Sequence, residues 1–545
     1  MAYGSLILGT TTLILVYLLY SRLRWPSAIA SGFPSGPPTV PFLGNIHQIP
    51  LTKAYLKFTE WGRTYGSHGL FGLHLGPNNK AVVLNNWTSV RDLLDLRGAI
   101  YSSRPSFPVV EYVVPQGDTH LAFQAYGPKW RKTRKSMTDF LKARVDNLLP
   151  VQQAESVQLI REILHDPKRW NDYYYRVFGA AIMASVFGMR GADISPEGNI
   201  MTFFRVQEEW TEALALGAAP PFDVFPFLQY VPDFLTPWKG WKQKLDAIKQ
   251  RQNKLYRDLF AEARARIENG KGQDSFLAAI LQDNDKTQYN DEEIEYLLGF
   301  ALEAGSDTSA TALQTFTIAL ASQPDLQSQL QEEVDRVFGS KVMPRASASS
   351  DNLPLLRACF YELLRWRPAL PLSIPHASTK DDVYEGMFIP AGTTIIMNTW
   401  AITHDPDEYE NPDSFDPHRF LKHPLGLKIT PNTTEKAPDE SIDDTNASYG
   451  FRRLNYGFGA GRRACAGQRM AENSMMSAMA KLVWSFNVVA THGAKQLDTS
   501  IHSWNDGVVI SLKPIDLEFS LRSEDKREVI ESEWQRADEF LRAFE

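Results

Sequence analysis

The chain has 545 residues, of which 43% are hydrophobic and 22% are charged, a composition typical of a large globular protein. The formal net charge of −7 argues against a general nucleic-acid-binding protein. With only two cysteines and no CxxC pair, the sequence argues against a disulfide framework, a structural zinc site and CxxCH attachment of a cofactor. We expect the body of the protein to lie in a reducing compartment.

The N-terminal segment, residues 1–21, carries no charged side chain, and a helix of that length would be about 30 Å long, enough to cross a bilayer. Arg22 and Arg24 follow at once, and this charge places the rest of the chain on the cytosolic side. A cleaved signal peptide is the alternative, because residues 28–30 (Ala-Ile-Ala) resemble a cleavage site. The long apolar run without a preceding basic region favours a transmembrane anchor. Residues 22–45, basic and rich in proline, would then form a stiff hinge.

The body, residues 46–522, is predicted to be one α+β domain that is predominantly helical. Residues 127–340 have a mostly helical pattern. Strand patterns occur at residues 68–84 around a turn at 76–79, and at 383–389, 393–398, 508–512 and 517–521. Many helices beside a smaller antiparallel sheet portion are typical of the α+β class.

Three other segments have a distinctive composition. Residues 213–238 are apolar and broken by prolines, so they line a ligand entrance, dip into a bilayer, or form a buried connector. Residues 421–450 are polar and predict a surface insertion. Residues 523–545 predict an acidic amphipathic helix at the C-terminus, with no function assigned.

The two cysteines have different surroundings. Cys359 lies in an apolar helical pattern and is predicted to be a small buried side chain. Cys465 lies in a loop rich in glycine, next to Arg462 and Arg463 and just before a helical pattern that starts near Ala466. The helix N-terminus and the arginines favour the thiolate, which ligates metals. No partner stands at zinc spacing, so the metal must bring its other ligands, as haem does.

The central helix is predicted at residues 291–322, and Asn290 and Glu293 have the spacing of a capping box. In its middle, Ala304 and Gly305 leave room for a ligand. Thr308 follows Ala304 by four residues, so its hydroxyl can bond that carbonyl and bend the helix. That bond alone is one interpretation. Because Asp307 stands beside Thr308, we favour a proton-transfer pair.

Glu362 and Arg365 are three residues apart and face the same way on one helix. Among leucines and a tryptophan, the pair is predicted to be buried, and a buried pair needs further partners.

Five motifs, in order along the chain, resemble those of the cytochrome P-450 family. They are WRKTR (130–134), AGSDTS (304–309), ELLR (362–365), FDPHRF (415–420) and FGAGRRACAG (458–467). With the anchor and the hinge, the resemblance covers roughly residues 1–520, and it is closest to membrane-bound fungal members, many of which serve secondary metabolism.

The resemblance implies a cytochrome P-450 fold and haem b with Cys465 as the axial thiolate ligand to iron. It implies that Asp307 and Thr308 deliver protons, and that Glu362, Arg365 and Arg419 form a structural network behind the cysteine loop. The other cofactor-binding residues are then Trp130, Arg134, Ala304, Gly305, His376, Phe458, Gly459, Arg463 and Gly467. His376 is equally well interpreted as a structural histidine.

The resemblance further implies a monooxygenase that inserts one atom of O2 into an apolar small molecule. Electrons would come from NADPH through the membrane-bound NADPH–cytochrome P-450 reductase, since the chain has no flavin or nicotinamide fingerprint. A basic face made by residues 130–135, Arg452, Arg453, Arg462 and Arg469 would receive it. The enzyme would be a single-pass protein of the endoplasmic reticulum membrane with a cytosolic catalytic domain.

A second hypothesis keeps the haem but changes the reaction to oxidative coupling, ring formation, isomerisation or dehydration. A third hypothesis is a protein that binds haem without catalysis. The substrate cannot be read from the sequence, although the pocket is expected to draw on residues 105–123, 213–238, 300–308, 370–374 and 504–508.

Overall fold

The computed structural model describes residues 32–429, 448–449, 452–491, 493 and 497–545, together with Thr12 and Leu15. Apart from Thr12 and Leu15, the predicted anchor lies outside the described residues. Residues 22–31 of the hinge and most of the predicted surface insertion also lie outside them. Within the described part, no helix combines the length and the apolarity needed to cross a bilayer.

The described helices are numbered in chain order. They are α1 (Ala54–Tyr65), α2 (Trp87–Val90), α3 (Gly98–Tyr101), α4 (Pro108–Val113), α5 (Pro128–Arg144), α6 (Leu149–His165), α7 (Trp170–Phe187), α8 (Asn199–Ala213), α9 (Trp241–Glu268), α10 (Phe276–Gln282), α11 (Asn284–Thr287), α12 (Asp291–Ser322), α13 (Pro324–Phe338), α14 (Pro354–Trp366), α15 (Thr399–Thr403), α16 (His418–Lys422), α17 (Gln468–Ser485) and α18 (Glu524–Leu541). A π-helical segment, Arg91–Leu96, joins α2 to the turn before α3.

The described strands are short. They are β1 (Leu70–Leu75), β2 (Asn79–Leu84), β3 (His376–Ala377), β4 (Asp382–Tyr384), β5 (Met387–Ile389), β6 (Thr394–Met397), β7 (Ser448–Tyr449), β8 (Arg452–Arg453), β9 (Phe486–Ala490) and β10 (Leu517–Leu521). The largest sheet has the order β1-β2-β6-β3, and the remaining strands form two-stranded pairs.

The long central helix α12 organises the helical body. The Asn290 side chain accepts from the Glu293 N–H, and the Glu293 side chain accepts from the Asn290 N–H, so the predicted capping box and both predicted helix ends are confirmed. α12 packs most extensively against α7, while α6 packs against both α7 and α17. These helices bury one large apolar cluster, and a second cluster lies between α5, α8, α9 and the first half of α12.

The sheet predictions are confirmed in part. β1 and β2 form the predicted antiparallel hairpin, with Leu70 opposite Leu84 and Leu75 opposite Asn79. The expectation of a purely antiparallel sheet portion was wrong, because β2 and β6 pair in parallel. The strand predicted at 508–512 is absent, and this segment contributes only an isolated bridge between Leu512 and Trp504. The partner of β10 is β9 instead.

The C-terminal residues 523–545 lie on the helical body. α18 packs on α6 and buries Ile530, Ala537 and Leu541. Beyond it, the Phe544 carbonyl accepts a hydrogen bond of 2.8 Å from the Arg190 N–H. The apolar face of this helix therefore covers part of the core.

Candidate active site

The loop that carries Cys465 is closed by its own backbone. The Cys465 N–H donates to the Phe458 carbonyl at 2.8 Å, and the intervening chain forms the short helical turn Gly461–Arg463. α17 follows, with Gly467 as its N-cap residue. The Phe458 ring packs near the Phe360 ring of α14, with ring centroids 6.4 Å apart. The sequence therefore correctly placed the cysteine just before a helix.

The Cys465 side chain is exposed although protein surrounds it on most sides, so it lines a concave surface. Burial raises the pKa of the Cys465 thiol, while the Gly467 N–H and the Arg134 guanidinium oppose this by lowering it. The expectation that the helix end and its neighbouring arginines favour the thiolate therefore holds only in part. The cation that lowers the pKa is Arg134 of α5, not Arg462 or Arg463.

A contact that the sequence did not reveal holds this loop in place. The Gly461 N–H donates to Asp95 Oδ1 at 2.6 Å, and Arg453 Nη2 donates to the same oxygen at 2.5 Å. A Cβ on Gly461 would lie only 2.1 Å from the Leu94 carbonyl oxygen, so glycine is required there. The π-helical segment thus supports the loop, and no motif in the sequence signals this contact.

The middle of α12 lines an accessible surface. Ala304 is exposed although its neighbours Leu302 and Glu303 are buried. The Thr308 hydroxyl donates to the Ala304 carbonyl at 3.0 Å, which confirms the predicted bond. Ala301 of this helix and Ala466 of the cysteine loop pack against the same apolar cluster, so the two segments meet at one core.

The interpretation of Gly305 as space for a ligand needs correction. A Cβ on Gly305 would lie 2.6 Å from Cδ1 of Ile182 on α7. Gly305 therefore allows close packing of α12 on α7, and the exposed residue of the pair is Ala304.

Asp307 is a carboxyl group with an unusual environment. The pKa of Asp307 is raised to about 7, mainly by burial. A hydrogen bond with Gln207 of α8 opposes the rise, and the nearby Glu303 and Glu208 add to it. A group with this pKa can gain and lose a proton near neutral pH.

Glu362, Arg365 and Arg419 form the network that the motifs implied. Arg365 donates to both Glu362 oxygens at 2.7 Å, and Arg419 Nε donates to Glu362 Oε1 at 3.2 Å. The side chain of Glu362 is 0% exposed, that of Arg365 is 2% exposed and that of Arg419 is 6% exposed. Arg365 also donates to the carbonyls of Thr403, Pro412 and Ser414. The network therefore fixes the segment before the cysteine loop against α14.

Three arginines converge near the cysteine loop. Arg134 donates to the Ala464 carbonyl, Arg463 donates to the Ser102 carbonyl at 2.9 Å, and Arg104 donates to the Pro375 carbonyl at 2.8 Å. Burial lowers the pKa of each, and the pKa of Arg463 falls to about 9. Within the described residues, none of the three forms an ion pair with a carboxylate. Half-buried cations without a carboxylate partner fit a cofactor that carries carboxylates.

Trp130 and His376 lie beside these three arginines. The Arg463 guanidinium lies 4.3 Å from the centroid of the Trp130 ring. His376 Nδ1 lies 2.8 Å from the Tyr101 carbonyl, which fixes Nδ1 as a donor. Burial, together with Arg104 and Arg463, lowers the pKa of His376 to about 3. Sequence reasoning missed Arg104, whose only signal is a lone charge in the run YSSRPSF.

The predicted basic face is smaller than expected. Arg452 is buried and donates to Glu408 at 2.7 Å, and Arg453 pairs with Asp95. These two arginines form ion pairs within the protein, whereas Arg131, Lys135 and Arg462 are exposed.

Comparison with known proteins agrees with this geometry. The family model for cytochrome P450 matches residues 34–519. The chain is 33% identical to cytochrome P450 monooxygenase acuC of Aspergillus aculeatus, over 97% of both chains, and 34% identical to cytochrome P450 monooxygenase patH of Penicillium expansum, over 93% of both. It is also 32% identical to cytochrome P450 monooxygenase yanC of Aspergillus niger, over 97% of both. Members of this family carry haem with an axial cysteine thiolate. The chain therefore belongs to the cytochrome P450 family and is a haem-thiolate monooxygenase.

Proposed function

We propose that this enzyme inserts one atom of O2 into an apolar small molecule, a fungal secondary metabolite. The observation that carries the proposal is the accessible Cys465. It lies near half-buried arginines that have no carboxylate partner among the described residues, and its neighbour Ala466 packs on the same apolar cluster as Ala301 of α12. The relatives named above are fungal monooxygenases, and this supports the class of reaction.

Cys465 would ligate the haem iron, and Phe458, Gly459 and Gly467 would form the surrounding loop. The haem propionates would be held by Arg104, Arg134, Arg463 and Trp130. His376 is neutral and donates from Nδ1 to the Tyr101 carbonyl, so it has no second N–H for a propionate and fits the structural interpretation instead. When bound, the haem supplies the site at which O2 is reduced and activated.

The acid and alcohol on α12 would deliver protons to this reaction. Because the Thr308 hydroxyl directs its hydrogen to the Ala304 carbonyl, its oxygen is left to accept a hydrogen bond from water. Asp307 stands next to it with a pKa of about 7, so it can pass protons from the Gln207 side to that water.

Electrons would come from NADPH through the NADPH–cytochrome P-450 reductase. The exposed Arg131, Lys135 and Arg462 support an acidic partner on the cysteine side of the molecule. An anchor at residues 1–21 would hold the enzyme in the endoplasmic reticulum membrane with its body in the cytosol.

The apolar segment 213–238 supports a second contact with the bilayer. Its apolar side chains Leu216, Phe227, Tyr230, Phe234 and Leu235 are 56%, 56%, 81%, 74% and 67% exposed. A surface of this kind is typical of a membrane-binding site. In a variant that lacks residues 1–31, so that the proposed anchor does not contribute, Phe234→Glu is expected to weaken flotation of the enzyme with lipid vesicles. Val489→Glu, at an exposed position of β9, is expected to leave flotation unchanged.

The test of the central proposal is the carbon monoxide difference spectrum of the reduced protein. The wild type and Cys359→Ser, which changes the buried cysteine, are expected to give the strongly red-shifted Soret band of thiolate-ligated haem. Cys465→Ser is expected to lose it. A histidine-type band in the wild type, or a red-shifted band that survives Cys465→Ser, overturns the assignment.

Oxygen insertion is separated from coupling, ring formation, isomerisation or dehydration by turnover under 18O2 with reductase and NADPH. Insertion predicts one labelled oxygen atom in the product. An unlabelled product with one bond more than the substrate, or an isomer formed without NADPH, identifies an alternative reaction.

A further inference from the structure

His120 and Glu303 form a buried pair that none of the family motifs includes. His120 Nε2 lies 2.9 Å from Glu303 Oε2, and the two side chains are 3% and 7% exposed. On α9, Gln252 donates to Glu303 Oε1 at 3.2 Å, and the Tyr256 hydroxyl donates to the same oxygen. One carboxylate thus receives donors from α9 and from the loop before α5.

This arrangement fixes the tautomer of His120. A carboxylate that already takes two donors is an acceptor, so Nε2 of His120 must carry the hydrogen that it shares with Glu303. In the neutral ring, Nδ1 is then an acceptor. Nδ1 is buried and has no hydrogen-bond partner among the residues that the structure describes. A buried acceptor without a partner is rare, and here the opposite nitrogen is held rigidly in place.

Aromatic rings form the walls around His120. The ring centroids of Phe123, Phe300 and Trp210 lie 5.0, 5.1 and 6.4 Å from that of His120. Phe123 and Phe300 are only half-buried, so this aromatic group reaches accessible surface. Phe300 precedes the exposed Ala304 by about one helical turn, roughly 6 Å along α12. His120 and its aromatic neighbours therefore adjoin the surface where the reaction is proposed to occur.

We propose that His120 Nδ1 accepts a hydrogen bond from a hydroxyl group of the substrate, which is an aromatic alcohol or phenol. Glu303 is the positioning residue that holds the acceptor tautomer, and rotation of the half-buried Phe123 opens Nδ1 to the ligand. The inference rests on the proposed function, because it assumes that the concave surface beside Ala304 receives the substrate.

The experiment compares three ligands of similar shape by equilibrium dialysis against the haem-loaded full chain. The ligands are 2-naphthol, which can donate, 2-methoxynaphthalene, which can only accept, and naphthalene, which can do neither. The wild type is expected to bind 2-naphthol about tenfold more tightly than 2-methoxynaphthalene, as one buried hydrogen bond provides. His120→Phe is expected to abolish this preference and to leave naphthalene binding within about twofold.

The matched control is Phe300→Leu, which alters the same aromatic wall without touching the acceptor. This variant is expected to bind all three ligands more weakly by a similar factor and to keep the preference for 2-naphthol. A wild type without this preference, or a His120→Phe variant that retains it, overturns the proposal. If His120→Phe does not fold, as judged by circular dichroism, Glu303→Gln takes its place. The amide at 303 can donate to Nε2 and turn Nδ1 into a donor, so the preference must fall, and an unchanged preference overturns the proposal.

The two proposals fail separately. Dialysis measures binding whatever the axial ligand is, and the carbon monoxide spectrum of the same sample reports that ligand. Loss of the thiolate-type band with intact 2-naphthol preference rejects only the proposed function, and the reverse result rejects only the role of His120.

Discussion

Gly461, four residues before Cys465, donates its backbone N–H to Asp95 Oδ1 at 2.6 Å. A contact across 366 residues of sequence thus fixes the loop that carries the cysteine. The same glycine has a φ of +61°, and its Cα faces the Leu94 carbonyl. The position of the cysteine therefore depends on the π-helical segment as much as on its own loop.

Gly461→Ala is expected to destabilise the protein by more than about 3 kcal/mol, because the positive φ costs about 1–2 kcal/mol and the Leu94 carbonyl must also move. Gly392→Ala is the control, since Gly392 has a φ of +79° and nothing within 4 Å of an added Cβ. It is expected to cost about 1 kcal/mol. The measurement is urea denaturation of the two variants and the wild type, and equal losses would show that the Leu94 contact is unimportant.

The Glu362 network predicts a large loss of stability for a small chemical change. Glu362→Gln leaves Arg365 and Arg419 buried without a counter-charge, which is expected to cost about 3–5 kcal/mol. Glu60→Gln breaks an ion pair with Lys57 of 2.7 Å on the surface and is expected to cost less than about 1 kcal/mol. Denaturation midpoints of both variants test this. A loss at Glu362 no larger than that at Glu60 would mean that the buried network adds no stability.

Arg104 is predicted to bind a haem propionate. Arg104→Leu is expected to release haem to apomyoglobin about tenfold faster than the wild type, as loss of one charge-assisted hydrogen bond predicts. Arg144→Leu, which removes an arginine paired with Asp274 at 2.6 Å, is the control and is expected to release haem at the wild-type rate.

Haem dimethyl ester sharpens this test because its propionates carry no charge. With the ester, the wild type and Arg104→Leu are expected to release the cofactor at similar rates. If the tenfold difference persists with the ester, Arg104 acts through packing and does not bind a propionate.

The features that could be predicted from the sequence are those that depend on residues close together in the chain. The ends of α12 follow from a capping box, the β1–β2 hairpin follows from alternation around a turn, and the Thr308 bond follows from a four-residue spacing. The parallel pairing of β2 with β6 could not be predicted, since it joins segments about 300 residues apart in the chain.

The same reason explains what was missed at the site. Arg104 and Asp95 act on the cysteine loop from distant segments, and neither lies in a recognisable motif. Gly305 was assigned to a ligand because sequence does not show which face of a helix meets a neighbour. Arg452 and Arg453 were assigned to a surface because their acidic partners, Glu408 and Asp95, are remote in sequence.

Asp307 predicts how stability depends on pH. Burial raises its pKa from 3.8 to about 7, so between these values the folded protein binds a proton that the unfolded chain releases. Stability should therefore fall as pH rises from about 4 to about 7 and level off above that. A shift of this size corresponds to at most about 4 kcal/mol, and because water reaches the concave surface we expect about 2 kcal/mol.

Asp307→Asn is uncharged at every pH and is expected to remove this contribution. Urea denaturation at pH 5 and pH 8 compares it with the wild type and with Asp285→Asn, which changes an exposed carboxylate. Between the two pH values, the free energy of unfolding of the wild type and of Asp285→Asn should fall by about 1 kcal/mol more than that of Asp307→Asn, since about two thirds of the titration range lies above pH 5. If all three proteins change equally, Asp307 is ionised in the folded state at pH 5, and a carboxylate that is already charged cannot supply protons from a buried reservoir near neutral pH.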